Sequence, residues 1–185
     1  MFTSHGRVLA ALEHREPDRV PLDFGGAEVA GINVHTMRQL RQRLGLDDHV
    51  EVDAKVIQTG VMDDDLIERL AVDVKIVPPN SPADTGLEQD LGLVGDYYRY
   101  IDEFGIGWQM PEAGGHYYDL YLHPLANIDT VAEVEAYPWP DMLDEARFVG
   151  MKEHARTVAR DEHKAVFLGR ASSGMWEHVM WMTGY

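Results

Sequence analysis

The sequence predicts an α/β fold in which helices alternate with the strands of a parallel sheet and a segment of antiparallel strands interrupts the alternation. Up to residue 77, apolar patterns of helical spacing take turns with strand-like patterns. This order is typical of βα units around a parallel sheet. Residues 78–125 break the order, because they are rich in glycine, proline and tyrosine and contain short alternating runs.

Capping residues and stop signals place the helices. Thr3 or Ser4 caps the first helix, which ends before Glu16, and Gly45 stops the second. Asp63-Asp64-Asp65 is a helix start favoured by the helix dipole rather than a metal cluster. After the first helix, the expected helices are Val34–Leu44, 63–71, 131–136, 144–160 and 175–182.

Apolar and alternating runs place the strands. The expected strands of the parallel sheet are 20–24, 50–56, Val74–Val77 and 165–169. Runs at 97–101, 106–110 and 117–122 predict a hairpin or meander inserted between them. Residues 1–185 are therefore expected to form one domain with a β excursion at about 80–125.

Composition excludes several classes of function. The chain has 32 acidic and 16 basic residues, a net charge of −16, which repels nucleic acid and anionic membranes. It has no cysteine, so any metal site within it would need histidine or carboxylate ligands. The sequence shows neither a signal peptide nor a long apolar span, which predicts a cytoplasmic protein.

The opening run 7–21 (RVLAALEHREPDRVP) resembles the uroporphyrinogen decarboxylase and corrinoid methyltransferase superfamily. The similarity continues through further short segments, of which the later ones resemble the methyltransferase-like branch: 23–26, 102–108, 114–118 and 137–140. This resemblance implies a (β/α)8 barrel with its site at the C-terminal ends of the strands. On this basis we expect a partial barrel, the N-terminal half of such a protein.

The resemblance leaves three functional hypotheses open. True decarboxylases carry an arginine-rich loop after the first strand, whereas residues 25–31 here contain no arginine to grip substrate carboxylates. Trp181 also aligns where the decarboxylases have a tyrosine. We therefore favour methyl transfer between a corrinoid protein or methylated small molecule and an acceptor. The alternatives are uroporphyrinogen decarboxylation and a non-catalytic fragment or partner subunit that completes a barrel with another chain.

The methyltransferase-like branch implies a small-molecule substrate and a corrinoid protein as partner. Zinc, where members of that branch use it, is held by the C-terminal half, so we expect no metal or cofactor bound by this half alone. An incomplete sheet has an open edge that invites pairing. We therefore expect either a homo-oligomer or completion by the missing half.

Candidate site residues follow the expected strands. Asp53 is a candidate catalytic carboxylate, with Gln58 just past the strand as a substrate ligand, and the alternative for Asp53 is an ordinary exposed strand position. Arg170 follows a buried strand and is a candidate anion ligand or a structural ion-pair partner. We expect Arg170 and Asp53 to share one cavity at the barrel mouth.

Three further candidates lie in the second half of the chain. Glu177 and His178 begin the last helix, where a catalytic and a substrate-binding group are expected, although Glu177 also suits a helix N-terminus. His116 lies in a Gly-Gly-His-Tyr-Tyr loop as a candidate lid residue, or as an ordinary surface histidine. No metal-binding spacing accompanies these histidines.

Overall fold

The computed structural model describes residues 2–26, 28–169 and 174–185. The helices within these ranges are α1 Ser4–Leu12, α2 Val34–Leu44, α3 Asp64–Arg69, α4 Val131–Glu135, α5 Met151–Arg160 and α6 Met175–Thr183. The strands are β1 Val52–Ala54, β2 Thr59–Gly60, β3 Val74–Val77, β4 Gln89–Val94, β5 Tyr97–Ile101, β6 Gly107–Pro111, β7 Asp119–Leu122 and β8 Ala165–Leu168. Short 3-10 turns cover Glu28–Ala30 and Glu145–Phe148.

The chain divides into two compact units. Unit 1 takes its described residues from Met1–Ala54, Gln58–Asn80 and Phe148–Ala171. Unit 2 takes its described residues from Lys55–Ile57, Ser81–Arg147 and Ser172–Tyr185. The single domain expected for residues 1–185 stays a prediction.

Unit 1 is organised around a parallel pair of strands. β3 and β8 pair in parallel from Val74↔Ala165 to Val77↔Leu168, and α5 packs on both strands. α1 packs on β8. β1 and β2 form a separate antiparallel pair, against which α2 packs through β2.

Unit 2 is organised around an antiparallel sheet with the strand order β4-β5-β6-β7. Three of its strands coincide closely with the runs expected at 97–101, 106–110 and 117–122. One face of this sheet packs on an apolar core that contains Tyr100 and Trp108. In that core Trp108 meets Trp181 of α6 edge to face, with ring centroids 5.1 Å apart.

The expected partial (β/α)8 barrel is wrong. Sheets of two, two and four strands form in the described ranges, and β3 with β8 is the parallel pair among them. Residues 20–24 form no strand, because Pro21 has no N–H and the Leu22 N–H is taken by the Asp73 side chain at 2.9 Å. The alternating run at 50–56 is also not a parallel strand, since it turns back to pair with β2.

The helix expected at 144–160 is also interrupted. Gly150 has a left-handed backbone with φ 76° and separates the 3-10 turn Glu145–Phe148 from α5. Asp144 is committed to loop contacts, since its Oδ2 accepts from the Ala83 N–H at 2.6 Å and its Oδ1 from the Ala146 N–H at 2.9 Å. The apolar spacing therefore predicted α5 but not the break at Gly150 that separates it from the preceding 3-10 turn.

Candidate functional site

Two of the predicted site residues, Asp53 and Gln58, lie in one β-hairpin of unit 1. Asp53 is in β1, and Gln58 immediately precedes β2. Both side chains are half-buried, and both residues make interactions within the protein. The setting differs from the expected barrel mouth, because β1 is an antiparallel strand.

The backbone is irregular at both of these residues. Val52 pairs with Gly60 and Ala54 with Thr59, so Asp53 is the extra residue of a β-bulge. Gln58 has a left-handed backbone with φ 53°, which is uncommon for a residue with a side chain. Bulges and left-handed non-glycine residues occur more often beside functional sites than elsewhere.

The start of α2 fixes the position of this hairpin. The Val34 N–H donates to the backbone oxygen of Gln58 at 2.8 Å, and Asn33 forms an isolated bridge with Thr59. Asn33 also caps α2, since its Oδ1 accepts from the His35 N–H at 3.0 Å. The Thr59 side chain is buried, and within the described ranges its Oγ1 makes no hydrogen bond. A buried polar group in this state is unusual and marks the hairpin as locally non-ideal.

His178, another predicted site residue, lies on α6 in an aromatic environment of unit 2. Its ring meets Phe104 edge to face with centroids 4.3 Å apart, and the Trp181 ring is 6.0 Å away. Burial lowers the pKa of the imidazole, and the carboxylates of Asp102 and Glu103 oppose that shift. The neutral form of His178 is therefore favoured.

Asp102 was not predicted as a site residue. Of the two carboxylates that raise the pKa of His178, Asp102 has the larger effect. Burial raises the pKa of Asp102, although hydrogen bonds from Trp108 and from the Ile106 and Phe104 N–H groups oppose the rise. The Trp108 indole donates to Oδ2 at 2.8 Å, and Oδ1 accepts the two backbone bonds. Asp102 thus closes the turn between β5 and β6. Asp102 lies in the run 102–108, but no sequence feature singled out this role.

The remaining candidates are scattered. Glu177 is exposed in the first turn of α6, where it compensates the helix dipole. His116 is exposed in the loop between β6 and β7. Arg170 lies outside the described residues, so the cavity it was expected to share with Asp53 stays a prediction. The reason for expecting that cavity was the barrel, which does not form.

Charged residues of the opening run 7–21 form a buried ionic cluster that was not predicted. Asp73 is fully buried in unit 1, and Arg7 and Arg19 donate to its carboxylate at 2.5 Å and 2.7 Å. Arg7 also pairs with Asp18 at 2.6 Å. Charged residues in the run 7–19 therefore join α1 and the following loop to the start of β3. The role of these charged residues is structural.

Neither a metal site nor a membrane span emerges from the parts of the chain that the structure describes. No group of three or more histidine, aspartate or glutamate side chains there is arranged to hold a metal ion. No helix in those parts has the length and apolar character needed to cross a bilayer. Comparison with protein-family models, with curated proteins and with solved structures finds no match.

Proposed function

We propose that the protein takes part in methyl transfer between a corrinoid protein or methylated small molecule and an acceptor, with Asp53 handling a proton and Gln58 orienting the substrate. The observation that supports this proposal is the coincidence of backbone irregularities with the two residues selected from sequence. Asp53 occupies a β-bulge and Gln58 a left-handed conformation in one hairpin. The resemblance of the opening and middle segments supplies the reaction class.

The chemistry needs a group that can accept and donate one proton. When a thiol or hydroxyl takes up a methyl group, its S–H or O–H proton must leave as the bond to carbon forms. In the reverse direction, the departing sulfur or oxygen keeps the bonding electron pair and takes a proton. A carboxylate performs the first step and a carboxylic acid the second. A glutamine amide donates and accepts hydrogen bonds, so Gln58 suits orientation of the same heteroatom.

Asp102 is poorly suited to this role. Both oxygens of Asp102 are occupied by three donors of its own turn. A carboxylate with that many fixed partners has little freedom to exchange a proton with substrate. The half-buried side chain of Asp53 belongs to a strand irregularity, where side chains are commonly redirected toward ligands.

The test is methyl transfer from methylcobalamin to 2-mercaptoethanol, followed through the absorbance change of the corrinoid. We expect turnover by the full chain and a loss of about 100-fold or more in kcat for Asp53→Asn, because general acid–base catalysis contributes on that order. Gln58→Ala should mainly raise KM. Asp48→Asn is the matched control, since Asp48 is an exposed loop carboxylate of the same unit. Absence of wild-type turnover, or equal kcat for Asp53→Asn and Asp48→Asn, would overturn the proposal.

A further inference from the structure

The outer face of the unit 2 sheet carries an arginine held between tyrosines. Residues on this face alternate with the core-facing Tyr100 and Trp108, so Arg99 and Gln109 point away from the core as cross-strand neighbours. The Arg99 guanidinium carbon lies 4.8 Å from the Tyr121 ring centroid and 5.8 Å from that of Tyr97. We call Tyr97, Arg99, Gln109 and Tyr121 the Arg99 face.

The sheet is built so that these groups can meet. Tyr121 belongs to β7 and Arg99 to β5, with β6 between them. Gly107 of β6 permits the approach, because a Cβ at Gly107 would lie 2.9 Å from the Tyr121 ring. The Tyr121 ring therefore extends over β6 toward Arg99. The Arg99 Nε donates to Gln109 Oε1 at 3.1 Å, which fixes the guanidinium in place.

Among the described residues Arg99 makes no ion pair, and the carboxylate on the same face of the sheet is that of Asp119, the β7 partner of Gln109. Over residues 2–26, 28–169 and 174–185, no carboxylate lies within ion-pair distance of Arg99. In the same ranges the guanidinium makes one hydrogen bond, to the side chain of Gln109. The more deeply buried Arg7, Arg41 and Arg147 are all paired with carboxylates. In a chain with 32 acidic residues, a half-buried and oriented guanidinium without a carboxylate is unusual.

The β4 residue directly opposite Arg99 is a glycine with open space around it. Gly92 is the β4 partner of Arg99, so the residue directly opposite Arg99 contributes no side chain. A Cβ built on Gly92 would meet no atom within 4 Å. Val94 and Tyr97, which pair at the end of the same hairpin, are 41% and 36% exposed and offer an apolar surface beside the charge.

We infer that the Arg99 face binds the carboxylate of a small aromatic acid. A guanidinium whose Nε is already held by Gln109 presents its two Nη groups to a planar carboxylate. The Tyr97 and Tyr121 rings provide surfaces on which an aromatic body can stack. This site uses none of the residues of the Asp53 hairpin and does not depend on the proposed methyl transfer.

The experiment is calorimetric titration of the full chain with benzoate and with 4-methoxybenzoate, using 4-methoxybenzyl alcohol as the uncharged counterpart. We expect both acids to bind and the alcohol to bind at least about tenfold more weakly, since it lacks the charge-assisted bonds. Arg99→Met should weaken both acids by at least about tenfold. Arg156→Met is the matched control, because Arg156 is an exposed arginine of α5 already paired with Glu153.

A second variant keeps the test decisive if Arg99→Met unfolds the sheet. Arg99→Lys retains the charge and the stem but loses the fork, so it should fold and still bind the acids several-fold more weakly. Three results would each overturn the inference. The wild-type protein binds neither acid, the alcohol binds as tightly as the acids, or the acids bind Arg99→Lys and any folded Arg99→Met with unchanged affinity. Asp53→Asn should bind both acids like wild type, which separates this outcome from failure of the methyl-transfer proposal.

Discussion

Asp73 shows how a single buried charge organises unit 1. Its side chain is fully buried, and burial alone would raise the pKa of the carboxyl. Hydrogen bonds from the Leu22 N–H, Ser4, Arg19 and Arg7 outweigh burial and hold that pKa below its ordinary value. The ionised form is thus the stable one. Asp73 stabilises the fold above the unfolded pKa of about 3.9, and this contribution is lost as pH falls through the lower folded value.

Asp73→Asn tests this arrangement. Removing the charge leaves Arg7 buried with only Asp18 as a carboxylate partner, and breaking a buried pair in this way costs about 3–5 kcal/mol. We expect a loss of that order in the free energy of unfolding measured in urea. Glu153→Gln, in an exposed pair on α5, should cost less than about 0.5 kcal/mol. Similar losses for the two variants would contradict a structural role for Asp73.

His178 predicts a pH dependence of unit 2. Its folded pKa lies below the unfolded value of about 6.5, so the unfolded chain binds the proton more readily. The free energy of unfolding should therefore fall as pH drops below about 6.5 and level off beneath the folded pKa. His178→Gln should remove this part of the dependence, measured as the difference from wild type in urea titrations across that range. Parallel pH profiles for the two proteins would refute it.

At the scale of elements, local signals predicted the helices and most strands, missed β2 and β4, and did not identify the strands' partners. Thr130 forms the capping box of α4, Asp63 caps α3, and Gly45 ends α2, all as their sequence signals indicate. The pairing of the strands was not predictable, because alternation identifies a strand without identifying its neighbour. Gln58, just before the second strand of the β1–β2 hairpin, has a left-handed backbone. Glutamine is not a residue type that predicts such a turn.

The same limit applied to the candidate site. Asp53 and Gln58 were selected as groups near a strand end and do occur in one hairpin, but the parallel setting used to select them is absent there. Asp102 and Asp73 were missed because their roles depend on partners distant in sequence or on turn geometry. The Arg99 face was missed because an alternating tyrosine run predicts packing, whereas the lack of a carboxylate partner is visible only in three dimensions.

The turn between β5 and β6 depends on Gly105. This residue has φ 78°, and a Cβ there would overlap the hydroxyl of Tyr137, which donates to the Phe104 backbone oxygen at 2.5 Å. Gly95 has φ 63° but open space around it. The two glycines therefore share the backbone requirement and differ in packing.

Alanine substitution separates these two effects. Gly95→Ala should cost about 1–2 kcal/mol, the strain of a left-handed alanine. Gly105→Ala should cost about 1–3 kcal/mol more, because the methyl group must displace Tyr137. Urea unfolding of both variants measures the difference. Equal losses would mean that the Tyr137 contact carries no packing constraint.

At the scale of the whole molecule, the two units have different stabilising interactions. Unit 1 combines a short parallel pair with the buried cluster around Asp73, while unit 2 relies on a four-stranded sheet and its aromatic core. Each unit has hydrogen-bonded strands whose partners belong to the same unit. Contiguous cooperative regions of this kind open with their own free energies.

Hydrogen exchange followed by mass spectrometry can therefore localise the damage done by each variant. Asp73→Asn removes a partner of Arg7 and Arg19 within unit 1, so exchange should accelerate at Val74–Val77 and Ala165–Leu168. Gly105→Ala distorts the turn that joins β5 to β6, so exchange should accelerate across Tyr97–Ile101 and Gly107–Pro111. Glu153→Gln is the control for Asp73→Asn, since it also removes a carboxylate. Gly95→Ala is the control for Gly105→Ala, since it also places alanine in a left-handed conformation. The expectation fails if either variant accelerates exchange equally in both sets of strands, since the chain would then unfold as one cooperative body.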